Sequence, residues 1–177
     1  GDHRDLHLSI RRQRQMCIRD RYMRTIREKY SKLGYTPYGW HKADEAPPWT
    51  SLEKPLSDCK VGMMSTAGTY ALGQTAYFYK DDTSHRVIPS NTPIENLRFS
   101  HLTENYLPDT RRDANCAFPL EPLRKLAHEG FIGSLAENVF SCMGAVYSKR
   151  RVDEEVSPAI YEAFAKENVD LAYLVPL

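Results

Sequence analysis

Apolar and polar positions recur along this chain with two periods, and the changes of period mark its elements. Met23, Ile26, Tyr30 and Leu33 fall at helical spacing and Gly34 follows as a C-cap, so an amphipathic helix is predicted over residues 22–33. Residues 36–57 lose all periodicity: Pro37, Pro47, Pro48 and Pro55 break helix and sheet alike. Long structureless loops are unusual in compact domains, so this stretch is expected to wrap the core, pinned by Trp40 and Trp49. KVGMMST at 60–66 reads as a buried strand running into a turn at Ala67-Gly68. The aromatic stretch 70–80 (Tyr70, Tyr77, Phe78, Tyr79) reads as a loop or short strand, and Val87–Pro89 and Ile94–Phe99 as short extended pieces.

In the second half, Pro119 opens a helix to about His128 with Leu120, Leu123, Leu126 and Ala127 on its apolar face. Glu121 lies at its start and Lys125 and His128 at its end, as the helix dipole favours, and Gly130 closes it. Phe131–Leu135 reads as a strand and Phe140–Gly144 as a tight turn carrying Cys142. Ser157 reads as the cap of another helix, with Pro158 at its first position and Val156, Ile160, Ala163 and Phe164 as its stripe. Val169–Val175 is a continuous apolar run, the pattern of a central parallel strand buried on both faces. Strand–helix–strand alternation predicts an α/β fold: a single domain with a mostly parallel central sheet flanked by helices. Ligands of such sheets bind beyond the carboxyl ends of the strands. The chain stops at Pro176-Leu177, where such a loop would begin, so a domain truncated at its C-terminus is expected.

Charge changes this picture only at the N-terminus. GDHRDLHLSIRRQRQMCIRDR, residues 1–21, matches the translation of a sequencing-library adapter codon for codon, and is expected to be non-native. The rival reading is a basic arm for nucleic acid or a presequence. Setting aside its six Arg and three Asp leaves 18 basic and 20 acidic side chains, net −2, so no electrostatic footprint for nucleic acid survives. The expected organisation is then residues 1–21 adapter-derived, 22–58 a helix with a Pro-rich wrapping segment, and 59–177 the α/β domain. No apolar run approaches a membrane span and no signal peptide is visible, so no membrane partner is expected. Cys59, Cys116 and Cys142 show no framework spacing, which points to a reducing cytoplasm.

Candidate chemistry gathers in 81–101, where Asp82, Ser84, His85, Arg86, Ser100 and His101 crowd acid, hydroxyl, imidazole and guanidinium groups between apolar elements. A mere turn would use Gly, Asn and Ser, so the segment reads as the lining of a substrate pocket. The bland alternative for Asp82 and Arg86 is a local ion pair. Upstream, Ser65, Thr66 and Gly68 end a strand in hydroxyls and glycine, which either offers N–H groups to a carboxylate or simply turns the chain. A Ser100–His101 triad with Asp82 or Asp113 lacks a nucleophile elbow. His41, His85, His101 and His128 show no metal-ligand spacing, and no metal is expected. Cys142 reads as a buried small hydrophobe or, less simply, a reactive thiol.

MSTAG at 64–68, DTSHRVIP at 82–89, LRFSH at 97–101, DANCAFPLEPLRKL at 113–126 and EGFIGSLAENVFSCMG at 129–144 occur in order. With REKYSKLGYTPYGW at 27–40, they make the chain from Arg27 to Leu177 resemble the selenoprotein B family of glycine, sarcosine, betaine and D-proline reductases. The resemblance is strongest to the short branch akin to the smaller D-proline reductase subunit. It implies an oxidoreductase that reductively cleaves the C–N bond α to a carboxylate in an amino acid or N-methylated derivative, with a dithiol as electron donor. It also implies a redox selenocysteine or cysteine in the loop after a strand like Val169–Pro176, beyond Leu177, and no other cofactor within this chain. D-proline reductase also uses a pyruvoyl group on a different subunit, so a partner reductase subunit is implied besides the amino-acid-like substrate. For that chemistry Arg86, Ser65, Thr66 and Gly68 are the expected carboxylate contacts and His101 the proton-transfer group. Asp82 and Ser84 are expected to orient, with Ser100 in the lining. Cys142 would serve as resolving thiol if it lies near the redox residue. The alternatives are a racemase or lyase using two thiols, or a thiol with His101, and a non-catalytic subunit.

Overall fold

The computed structural model describes residues 21–36, 46, 50–102 and 104–177. Residues 1–20, Trp40, Trp49, Pro37, Pro47, Pro48 and His41, on which several expectations rest, lie outside the described residues. The chain divides into two units, Gly1–Thr50 and Ser51–Leu177. The first contains the expected helix, over 21–32 (α1). The sheet and the remaining helices belong to the second.

The core of this second unit is a five-stranded sheet. β1 (Lys60–Ser65) runs parallel to β5 (Ser134–Leu135) and β6 (Asn138–Cys142) on one side and to β7 (Leu171–Val175) on the other. β3 (His85–Pro89) extends the sheet antiparallel to β6. Two short strands, β2 (Thr69–Ala71) and β4 (Leu97–Phe99), make a separate antiparallel pair. The α/β architecture with a mostly parallel sheet flanked by helices is therefore present.

Alternation along the strands sorts their side chains onto two faces. Met63, Ile88 and Val139 pack with Leu97, Ala114 and Phe118, and with Leu120 and Leu123 of α3 (Leu120–His128). On the opposite face Phe140 and Cys142 meet Val156 and Ile160, with Met64, Ala163 and Phe164 against them. α2 (Leu107–Arg112) buries Leu107 and Thr110 and precedes a 3-10 turn, Ala114–Cys116, which the Asp113 side chain caps by accepting from the Asn115 N–H.

Four expectations are corrected. Ser157 is not a cap: the helix starts earlier as α4 (Lys149–Arg151), with the Ser148 side chain accepting from the Arg151 N–H. It passes through a π-turn, Val152–Val156, into α5 (Ser157–Lys166). Pro158 has no N–H to donate and its ring crowds the carbonyl four residues back; the wider turn just before it accommodates both. Phe140–Gly144 is not a tight turn, because Asn138–Cys142 is a fully formed strand and the chain turns only after it. Phe131–Leu135, in turn, is strand only at Ser134–Leu135.

The fourth correction concerns Leu171–Val175. It is parallel, as expected, but it is an edge strand: it pairs with β1 and, among the described residues, with nothing else. Tyr173 and Leu174 are 46% and 60% exposed. An apolar run on both faces records what a strand is made to be covered by, and says nothing of where in the sheet it sits.

Candidate functional site

The parallel register brings three carboxyl ends together, because Ser65 lies opposite Ser141 of β6 and Val175 of β7. The segments leaving these strands are stitched to one another. The Thr66 N–H donates to the Val175 carbonyl at 3.0 Å and the Gly144 N–H to the Thr66 carbonyl at 2.9 Å. The Leu177 N–H donates to Thr66 Oγ1 at 2.8 Å. A fourth segment joins them. Gly68 holds φ at +64°, and a Cβ there would fall 1.9 Å from the Ser100 carbonyl oxygen, so only glycine lets the tail of β4 lie against this turn. The Ser100 N–H donates to the Gly68 carbonyl at 3.0 Å, which delivers His101 to the same rim.

His101 is buried. Its Nε2 faces Gly144: a Cβ on that glycine would lie 3.3 Å from Nε2 and 3.2 Å from the carbonyl oxygens of both Thr66 and Leu177. Imidazole, Thr66 and the end of β7 therefore share one small space. Burial holds the His101 imidazole below its ordinary pKa, with Glu104 pulling the other way.

The remaining predicted residues divide between the turn and a separate clamp. Ser65 is fully buried, its hydroxyl donating to the Ala117 carbonyl at 2.7 Å and accepting from the Ala67 N–H at 3.2 Å. The turn's N–H groups all donate within the protein: Thr66 to Val175, Ala67 to Ser65 Oγ, Gly68 to the Cys142 carbonyl and Thr69 to Ser141 Oγ. Ser100 Oγ donates to the Tyr77 carbonyl at 3.4 Å.

Arg86 is the hub of the clamp. Its Nε donates to the Thr75 carbonyl at 2.8 Å, Nη2 to the Ala76 carbonyl at 3.3 Å and Nη1 to Ser84 Oγ at 2.8 Å. Its guanidinium lies 4.2 Å from the centroid of the Tyr77 ring and 4.0 Å from Asp82. Asp82 accepts from the Phe78 N–H and from both the N–H and hydroxyl of Ser84. Burial pushes the Asp82 carboxyl up, but these bonds and the Arg86 charge outweigh it and hold it below the usual range. Tyr77 then reaches inward, its hydroxyl donating to the Ser141 carbonyl at 2.6 Å; burial pushes that hydroxyl's pKa up.

A second arginine grips the same loop from outside. Arg151 bonds both carboxylate oxygens of Glu155, the Asp81 carbonyl and the Thr83 hydroxyl, and its bonds to Glu155 bring that carboxyl down to about 2. No sequence signal marked this grip, since Arg151 and Asp81 are far apart in the chain. The role of Gly144 was equally hidden; only its place in the turn expected at Phe140–Gly144 hinted at it.

Cys142 ends β6 with its thiol among Phe140, Val156 and Ile160, and burial pushes it up to about 11. Cys59 is buried and Cys116 exposed, and all three are free thiols. Among the described residues no group of three or more His, Cys, Asp or Glu is arranged to hold a metal ion, and no helix is long and apolar enough to cross a membrane.

No family model and no solved structure matches the chain. It is 34% identical over 128 residues to D-proline reductase subunit gamma of Acetoanaerobium sticklandii, over 72% of this chain and 52% of the relative. The chain thus spans about half the length of the curated relative it matches.

Proposed function

We propose that the chain belongs to the selenoprotein B family as a subunit of the D-proline reductase type. Its reaction would be reductive cleavage of the C–N bond α to a carboxylate. The C–N bond breaks, a C–H and an N–H bond form, and a dithiol supplying two electrons and two protons becomes a disulfide. Support comes from the similarity to the reductase subunit and from one geometric observation: the carboxyl end of β7 arrives beside His101, with Leu177 bonded to Thr66. In the family that strand is followed by the redox selenocysteine or cysteine, which supplies the nucleophile for such a cleavage.

His101 is the proton donor to the departing amine in this reading. A pKa held down by burial makes its imidazolium a readier acid, though a scarcer one at neutral pH. Thr66 and Ser100 line the substrate's approach. Ser65 and Gly68 shape the turn, and Asp82, Ser84 and Arg86 orient the rim through Tyr77. A partner reductase subunit completes the substrate site.

A second reading, a non-catalytic subunit, is favoured by the commitment of Arg86 and of the turn's N–H groups to protein acceptors. The thiol-dependent racemase or lyase draws no such support, because the Cys142 thiol is packed into the core. The test is His101→Asn in the assembled reductase. A fall in kcat of about a hundredfold or more with assembly intact supports the catalytic reading. Unchanged turnover leaves the non-catalytic subunit.

A further inference from the structure

The loop between β2 and β3 turns Tyr77 into the core and its next two side chains into water. Phe78 and Tyr79 are each 62% exposed, and their ring centroids lie 4.6 Å apart. Neighbours in an extended chain point to opposite sides, so this stacked pair is a single face made by the bends of the loop. Those bends are held in place. The Phe78 N–H donates to Asp82 at 2.8 Å, Arg151 donates to the Asp81 carbonyl at 2.8 Å, and the Tyr147 N–H donates to Asp81 Oδ1 at 2.7 Å. Between these anchors Asp81 keeps a left-handed φ of +51°. Single apolar side chains scattered over a surface are ordinary, but a pinned stack of two adds nothing to the core and still excludes no water from anything. Aromatic anchors whose freedom is already restricted are the residues that dominate protein interfaces, because covering them costs little further entropy.

We propose that the Phe78–Tyr79 stack is the surface on which the partner reductase subunit docks, with both rings entering an apolar pocket of that subunit. The charges around the loop favour a protein over other surfaces. Arg86 is paired with Asp82 and Arg151 with Glu155, which leaves Lys80 as the loop's one cation without an ion pair among the described residues. A nucleic acid or an anionic lipid surface is held by several free cations at once, and the loop does not offer them. An apolar pocket with one carboxylate at its rim, set for Lys80, matches what it does offer. The loop is also welded to the candidate site. Ser100 Oγ donates to the Tyr77 carbonyl at 3.4 Å, and the Tyr77 hydroxyl donates to the Ser141 carbonyl at 2.6 Å. A subunit seated on Phe78 and Tyr79 therefore lies beside the rim that carries His101. This inference rests on the reading of the chain as a reductase subunit and adds to it the face through which the subunit assembles.

The test is a binding titration of the full chain with the partner reductase subunit, comparing the native chain with the double variant Phe78→Ala/Tyr79→Ala. The double variant should bind about thirtyfold more weakly or worse. Its urea midpoint should stay near the native one, since both rings are exposed. Tyr161→Ala, which removes an equally exposed ring from α5, should bind as the native chain does. Hydroxyl-radical footprinting of the native assembly reads the same contact without a substitution: Phe78 and Tyr79 should be protected on assembly and Tyr161 should not. Native-like binding by the double variant, or unprotected Phe78 and Tyr79 in the assembled enzyme, would overturn this inference and leave the subunit reading intact. A native chain that does not bind the partner subunit at all would overturn both.

Discussion

His101 occupies the space that a side chain on residue 144 would need. Its Nε2 would lie 3.3 Å from a Cβ at Gly144, tighter than ordinary van der Waals contact. Gly144→Ala is therefore expected to push the imidazole outward and relieve its burial. The pKa of His101, held down by burial in the native chain, should rise toward the ordinary value in the variant. NMR titration of the ring protons reads this directly; an unmoved pKa would mean the ring does not depend on that gap.

Gly68→Ala combines a left-handed backbone with a collision. Its φ of +64° costs a non-glycine residue about 1–2 kcal/mol. The added methyl would also meet the Ser100 carbonyl, a backbone atom that moves only with β4. The expected loss exceeds about 2 kcal/mol, read as a lowered urea midpoint with unchanged slope.

Removing Arg86 leaves Asp82 without its cation and the carbonyls of Thr75 and Ala76 without donors. With both ion-pair side chains under 15% exposed, Arg86→Ala should cost about 2–4 kcal/mol, and Arg86→Lys nearly as much because one ammonium cannot replace the fork. Thermal unfolding measures the cost. Limited proteolysis should then cut between residues 75 and 84, where the native chain resists.

His85 and His101 are both held below the ordinary histidine value by burial, and Arg86 and Lys166 add to the effect at His85. The unfolded chain therefore takes up protons that the folded chain refuses once pH falls below about 6.5. The contribution of these neutral rings is fully present above that pH and is lost as pH falls through their depressed values. Urea midpoints should drop on acidification across this window, with a shallower drop in His101→Asn.

Thiol accessibility should follow burial. Cys116 is exposed, whereas Cys59 and Cys142 are buried and the Cys142 thiol is pushed up to about 11. Iodoacetamide at neutral pH should label Cys116 in the folded protein and reach Cys59 and Cys142 only in denaturant, as peptide mapping would show. Rapid native labelling of Cys142 would contradict its place in the core.

Local pattern alone determined much of the fold: β1 from KVGMMS, α3 from its stripe and the proline before it, and the α/β class from their alternation. These features are written in neighbouring residues, through helical period, β-branching and caps, and neighbouring residues suffice to read them. The grouping of Asp82, Ser84 and Arg86 was legible for the same reason. Tertiary structure decided the rest. Whether LAYLV lies at the centre or the edge of the sheet depends on which strands flank it. Whether Ser157 caps a helix depends on a π-turn that absorbs Pro158. That His101 faces Gly144 and Thr66 depends on contacts between segments tens of residues apart. A sequence states which groups are available, and only the packing of distant segments settles which of them meet.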